Sequence, residues 1–369
     1  TKTVFAIKLF KPGNDATYLA RELAAFAIMG SHKNLISVEA LSDVPGSEGL
    51  VMELAYCDLY QASTQTSGPA LNINHTIDLL ADGTEGLSFM HSLGVVHCDQ
   101  KLVNVLVCRG DGPGGFVGKI TDPGVWCGVG ETRPAKTGSL GRLPLENILG
   151  EVVADPNQDV FAVGVDMCFI LANPAWRTLC DSLWMHHALL TSEENARGEA
   201  LHAAGADVNQ HWADITQRTK TDGSLSRILE QPGILNPFLP PSELPRTRKV
   251  LQAMISPNPE DRGEMADATR FLRDLAAKTT AHINAFVAAT LAAGVIVPPV
   301  VEHPPAVEAP AIAPAPELPA AGLVGAGGGR SGGAAAAVPS VERVHLVPPP
   351  VAAQHAEGEA GNGSGPPAA

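Results

Sequence analysis

Basic residues are scarce in this sequence: 25 Lys and Arg stand against 39 Asp and Glu in 369 residues, a formal net charge of −14. Nucleic acids and anionic membrane surfaces are bound by clustered Lys and Arg, so neither is expected as a partner, and small molecules or proteins are. Paired cysteines are missing too. The six cysteines (Cys57, Cys98, Cys108, Cys127, Cys168 and Cys180) show no C-x-x-C spacing and sit mostly in apolar runs. That argues against a disulfide frame or a zinc site and for reduced, buried thiols of an intracellular, cytoplasmic protein. A bilayer-crossing helix needs roughly 20 apolar residues. The Ala-rich stretch 283–297 falls short of that and runs into Pro298-Pro299, so it is expected to be a helix at the end of the domain. Thr1 opens directly on a strand-like run without a charged leader, so the sequence reads as a fragment lacking a signal peptide. Beyond Pro298 aromatics vanish and Ala, Pro and Gly dominate, which leaves too little apolar side chain to offset chain entropy. Residues 298–369 are therefore expected to form a disordered tail.

What is present begins with a loop of concentrated chemistry. In Val96-His97-Cys98-Asp99-Gln100-Lys101-Leu102-Val103-Asn104-Val105-Leu106-Val107, an Asp, a Lys two residues on and an Asn five residues on lie between two short apolar β-type runs. Upstream, Thr3 to Phe10 alternates β-branched and aromatic residues around Lys8, a strand pattern. Glu22 follows fourteen residues later within Tyr18 to Met29, which is rich in helix formers. Gly49 to Tyr56 reads as a buried strand running into a connector, and His75 to Ser92 as an apolar-rich helix despite Gly83 and Gly86. Gly110 to Gly115 formally fits G-x-G-x-x-G, but no helix follows it, so a hairpin turn is expected. Val117 to Gly124 is a strand ending in Asp122-Pro123-Gly124. Taken singly, Lys8 is a solvent-facing strand residue, Glu22 a solvated helical one and Asp-Pro-Gly an ordinary turn. His186 and His187 are adjacent and have no third ligand spaced to join them, so no metal is expected there.

Taken in order, these stretches resemble the eukaryotic protein kinase domain of the Ser/Thr type. Phe5-Ala6-Ile7-Lys8 resembles its Val-Ala-Ile-Lys strand, Glu22 the helical partner of that Lys, and His97 to Asn104 its catalytic loop. Asp122-Pro123-Gly124 resembles Asp-Phe-Gly, and Thr137 to Glu146 the end of an activation segment, with Pro144-Leu145-Glu146 at Ala-Pro-Glu. Asp159 to Gly164 and Asp261-Arg262 match later family positions, the Arg pairing with Glu146. The resemblance implies an α+β, two-lobe fold over 1–276, with an incomplete N-terminal β lobe and hinge in 1–55 and a mainly helical lobe in 56–276, followed by a helical extension in 277–297. It implies ATP and Mg²⁺ as cofactors and a protein substrate as partner. It makes Asp99 the residue that accepts the substrate hydroxyl's proton and Lys101 the one that steadies the transferring phosphoryl. Asn104 and Asp122 become metal ligands, and Lys8, Glu22, Met52, Glu53, Ala55 and Leu106 the ATP-binding residues.

Three departures qualify the resemblance. Cys98 stands where the family has Arg, so control by activation-segment phosphorylation through that residue is not expected. Pro123 replaces the Phe that packs beneath the metal-binding Asp. The sequence starts at the Lys-bearing strand, without a Gly-rich loop before it. Two functions follow: a Ser/Thr protein kinase, impaired by the missing loop, or a pseudokinase that keeps the fold as a protein-binding scaffold.

Overall fold

A computed structural model describes residues 5–9, 15–42, 49–69, 71–134, 137–149, 152–174, 177, 191–206, 211, 214–215, 217–218 and 227–292. Cys180, His186, His187 and the tail lie outside the described residues.

The N-terminal part is a small sheet with one helix. Strands β1 (Phe5–Leu9), β2 (Val38–Ser42) and β3 (Gly49–Glu53) pair antiparallel in the order β1-β3-β2, and helix α1 (Asp15–Met29) follows β1. Lys8 lies opposite Leu50, and Ala6 opposite Met52. The period-two alternation decides the faces: Phe5, Ile7 and Leu9 are exposed on one side, while Lys8 turns toward α1 on the other. Leu50, Met52, Ile36, Ala55 and Cys108 form a compact apolar cluster, against which Leu106 and Leu19 pack.

The rest is mainly helical around a larger core. Strand β4 (Cys57–Asp58) leads into α2 (Leu59–Thr64), capped by the Asp58 carboxylate, which accepts from the Gln61 N–H at 2.7 Å. Helix α3 (Ile73–Ser92) starts at Asn72, whose side chain accepts from the His75 N–H. Strand β5 (Val95–Val96) then leads to the Asp99 loop, and β6 (Val105–Arg109) and β7 (Phe116–Ile120) form the expected hairpin around Gly110–Gly115. Strand β8 (Cys127–Gly128) pairs with β5, and β9 (Thr132–Arg133) with β10 (Val152–Val153). A short helix α4 (Glu146–Leu149) precedes β10. Helix α5 (Pro156–Leu171) is buried from Gln158 to Leu171, as an apolar sequence on every face requires. The described helices end with α6 (Ser192–Ala203), α7 (Leu244–Met254) and α8 (Met265–Ala292).

Two glycines that weaken the helical pattern of the sequence mark close approaches. A Cβ on Gly86 of α3 would stand 2.5 Å from the Asn34 carbonyl oxygen, and one on Gly164 of α5 would stand 2.8 Å from Met254 Cβ of α7. The first brings residues 34–36 alongside β7: Ile36 N–H donates to the Ile120 carbonyl at 2.9 Å and Ile120 N–H to the Asn34 carbonyl at 2.8 Å. The small sheet is thereby tied to the strand that leads to Asp122. Helix α8 is unbroken across residue 276, and Thr279 is fully buried.

Candidate active site

Asp159 organises the loop. It sits in the first turn of α5, fully buried, and its carboxylate accepts from the His97 N–H at 2.8 Å, the Cys98 N–H at 2.9 Å and His91 Nε2 at 2.9 Å. Three donors on one carboxylate hold residues 97–98 in a turn where Cys98 takes φ +69°, an uncommon conformation for a side chain with a Cβ. Asn104 closes the other end of the loop, its Nδ2 donating to the Asp99 carbonyl at 2.8 Å. Asp99 N–H donates to His97 Nδ1 at 3.3 Å, and His97 Nε2 meets the Thr121 carbonyl at 3.0 Å. This pairing calls for the Nε2–H tautomer of His97 and places the loop beside the residues between β7 and Asp122.

The functional side chains converge from separate elements. Lys101 Nζ is 2.6 Å from Asp99 Oδ2 and 3.1 Å from Ser139 Oγ, while Asp99 Oδ1 accepts the Ser139 N–H at 2.7 Å. Lys8 Nζ bridges Glu22 Oε1 of α1 at 2.5 Å and Asp122 Oδ1 at 2.8 Å. Thr121 N–H donates to the Asn104 carbonyl at 3.0 Å, so Asn104 and Asp122 stand on adjacent backbone. Asp122 has φ +59°, a second strained non-glycine residue at the same site. Met52 and Ala55 are buried in the cluster that Leu106 joins, which gathers the three apolar positions into one wall. Glu53 is engaged otherwise: its N–H donates to the Ser37 carbonyl at 3.2 Å and its carboxylate pairs with Lys119 at 2.6 Å.

Electrostatics follow from burial and pairing. Burial pulls the Lys8 ammonium down, but the Asp122 and Glu22 carboxylates outweigh it and hold its pKa above the ordinary lysine value. Burial pushes the Glu22 carboxyl up to about 7 against the attraction of Lys8. Burial also opposes ionisation of Asp122, yet Lys8 prevails and keeps that carboxyl below the ordinary aspartate range. Among the described residues no group of three or more His, Cys, Asp or Glu gathers as a metal cluster, and no helix is long and apolar enough to cross a membrane. An amide oxygen and one carboxylate on adjacent backbone are hard donors suited to a divalent ion that takes its remaining ligands from phosphates and water.

A family model for the protein kinase domain matches residues 1–270. The chain belongs to the protein kinase family. Among curated proteins it is similar to a Wee1-like protein kinase 2 of Danio rerio, 26% identical over 166 residues, which covers 39% of this chain and 31% of that protein. It is also similar to a probable serine/threonine-protein kinase PknB of Lactococcus lactis, 28% identical over 168 residues, or 43% of this chain and 26% of the other. A probable cell division protein kinase of Encephalitozoon cuniculi is 25% identical over 168 residues, 44% of this chain and 51% of the relative. The matched region thus spans between about a quarter and a half of each of these relatives.

Within this kinase domain the expected Glu146–Arg262 pair forms, bidentate at 2.6 and 3.0 Å, with the Arg262 side chain fully buried and its guanidinium over the Phe161 ring. Other residues escaped sequence reasoning. Trp126 Nε1 donates to the Arg21 carbonyl at 2.8 Å, and Arg21 returns a bond to the Trp126 carbonyl at 3.1 Å, joining α1 to the segment after Asp122. Arg142 pairs with buried Asp166 at 2.8 Å, and Gln100 donates to the same carboxylate at 3.2 Å. Arg133 is buried beside Cys98 and donates to the Thr137 carbonyl and Gln158 Oε1. Four residues after Asp122, Trp126 was the one with a legible signal, a large indole in a kinase segment whose Phe is replaced by Pro.

Proposed function

We propose that this domain transfers the γ-phosphate of ATP to Ser or Thr hydroxyls of a protein substrate. The observation that carries this reading is the convergence of Lys8, Glu22 and Asp122 in one ion-paired cluster, with Asn104 tied by its backbone to the strand end that bears Asp122. Lys8, held by Glu22, binds the α- and β-phosphates; Met52, Ala55 and Leu106 form the apolar wall against the adenine, with backbone carbonyl and N–H groups of Glu53 and Ala55 at its edge. Asp122 and Asn104 would hold Mg²⁺, whose positive charge would offset that of the ATP phosphates. Asp99, its carboxylate fixed by Ser139 N–H and Lys101, orients the substrate hydroxyl and takes its proton, and Lys101 offsets the charge of the transferring group. Positioning and preorganised charge supply most of the acceleration in phosphoryl transfer, and those are what this network provides.

The test is transfer of labelled phosphate to a generic Ser/Thr substrate together with thermal shift in Mg-ATP. Wild type should be stabilised by Mg-ATP, and Asp122→Ala should lose that stabilisation. Asp99→Ala should lower turnover by about 10²–10⁴-fold while still binding nucleotide. Full turnover in Asp99→Ala would remove Asp99 from its role. Mg-ATP binding without transfer in wild type would make the domain a nucleotide-binding scaffold instead.

A further inference from the structure

Cys98 and Cys127 meet where the active-site loop packs on β8. Cys127 lies opposite Val96 in the β5–β8 pair, two residues before Cys98, and both cysteines are buried in one small cluster with Val96 and Ala154. Both are free thiols. Beside them lies Arg133, only 4% exposed, whose bonds go to neutral oxygens of Thr137 and Gln158 and whose Nε has no partner. Among the described residues no carboxylate bonds that guanidinium; it favours the thiolate at both sulfurs, while Asp159 beside Cys98 and Glu131 near Cys127 oppose it. A cation beside a thiol favours its reactive thiolate form.

The geometry points to Cys98 and Cys127 as a peroxide-reactive pair that closes to a disulfide, with Cys127 as the attacking sulfur and Cys98 as the resolving one. The Cys98 S–H donates to the Val96 carbonyl at 3.4 Å; its sulfur's interaction with Cys127, with Arg133 and Arg21 near, outweighs burial and the Glu131 carboxylate and draws the Cys127 thiol down to about 7, while the same interaction, burial and Asp159 push Cys98 up. Burial pushes Cys57 and Cys108 up to about 12, which sets them apart as unreactive. The Cys127 thiolate attacks one oxygen of hydrogen peroxide; the S–O bond forms, the O–O bond breaks and hydroxide leaves to become water. Cys98 sulfur then attacks Cys127 sulfur, the S–S bond forms, the S–O bond breaks, and a second water leaves with the Cys98 proton. Two thiols are oxidised by two electrons and the peroxide is reduced to two waters. The bond ties the residue before Asp99 to β8, and its formation does not depend on phosphoryl transfer.

The experiment treats the folded full chain with a small excess of hydrogen peroxide and weighs it under non-reducing, denaturing conditions. The expected product is lighter by two hydrogens, reverts with dithiothreitol and yields one cross-linked peptide pair joining Cys98 to Cys127. Cys127→Ser should abolish it, and Cys98→Ser should leave a Cys127 sulfenic acid, heavier by one oxygen and trapped by dimedone. A disulfide that excludes Cys127, oxidation of Cys127 without a bond to Cys98, or no reaction in folded wild type would overturn the inference. The wild-type peptide map decides the matter even where a variant fails to fold.

Discussion

The shape of the Asp99 loop depends on Asp159, which accepts the backbone N–H groups of His97 and Cys98. Burial disfavours its charge, but the His91 ring, His97 and the backbone donors outweigh this and hold its pKa below the ordinary aspartate value of 3.8. A carboxylate with a depressed folded pKa stabilises the fold fully above its unfolded pKa, and that contribution is lost as pH falls through the folded value. Asp159→Asn is expected to cost about 1–3 kcal/mol at neutral pH, since it weakens bonds to buried donors. The gap between variant and wild type should narrow below about pH 4, as followed by urea midpoints across the acid range. A gap independent of pH would show that the charge of Asp159 contributes nothing. The sequence pointed to Asp159, Lys8, Glu22, Asp99, Lys101, Asn104 and Asp122 through their match to the family's motifs in order. It left Arg133 and the Arg142–Asp166 pair unnamed, because nothing local in a sequence marks which arginine ends up buried.

At the scale of elements, the question is how α1 stays on the segment after Asp122 when Pro123 has replaced an aromatic residue. Pro123 is buried, and the Trp126 N–H returns to its carbonyl at 3.3 Å. The two-way bond between Trp126 and Arg21 then fastens α1, and Trp126 packs against the main core. Trp126→Phe keeps an aromatic ring but loses the donor; Trp126→Ala loses both. Faster amide exchange in residues 15–29 is expected in the order wild type, Phe, Ala, with weaker Mg-ATP binding in the same order, because Glu22 lies on α1. Unchanged exchange in Trp126→Ala would mean that α1 is held by other contacts. The strands and long helices were legible from period-two and apolar patterns, and the β6–β7 hairpin from its glycines. The reason α3 tolerates Gly86 was not, since it lies in the approach of the Asn34 backbone, about fifty residues away in sequence.

At the scale of the molecule, the large lobe is closed by α8 lying antiparallel on α3. Thr269 bonds to Thr84 and Asn74 to Thr280, each at 2.9 Å, and Arg273 reaches Asp78, Asp82 and Glu85. Leu272, Leu275 and Ala276 are fully buried in the same core as Leu80 and Leu87. Leu275→Ala should therefore lower stability by about 2–5 kcal/mol, measured by urea unfolding, and a loss under about 1 kcal/mol would place Leu275 outside the cooperative core. By itself the sequence carried the order of elements, through local periodicity, and, through its resemblance to the protein kinase family, the α+β class and the polar residues proposed for the candidate site. Only the tertiary structure decided that Lys8 bridges Glu22 and Asp122, that Trp126 fastens α1, and that Cys98 meets Cys127 beside the buried Arg133. Those contacts join residues brought together by packing across the whole core, and no local pattern encodes which distant partner a buried side chain will meet.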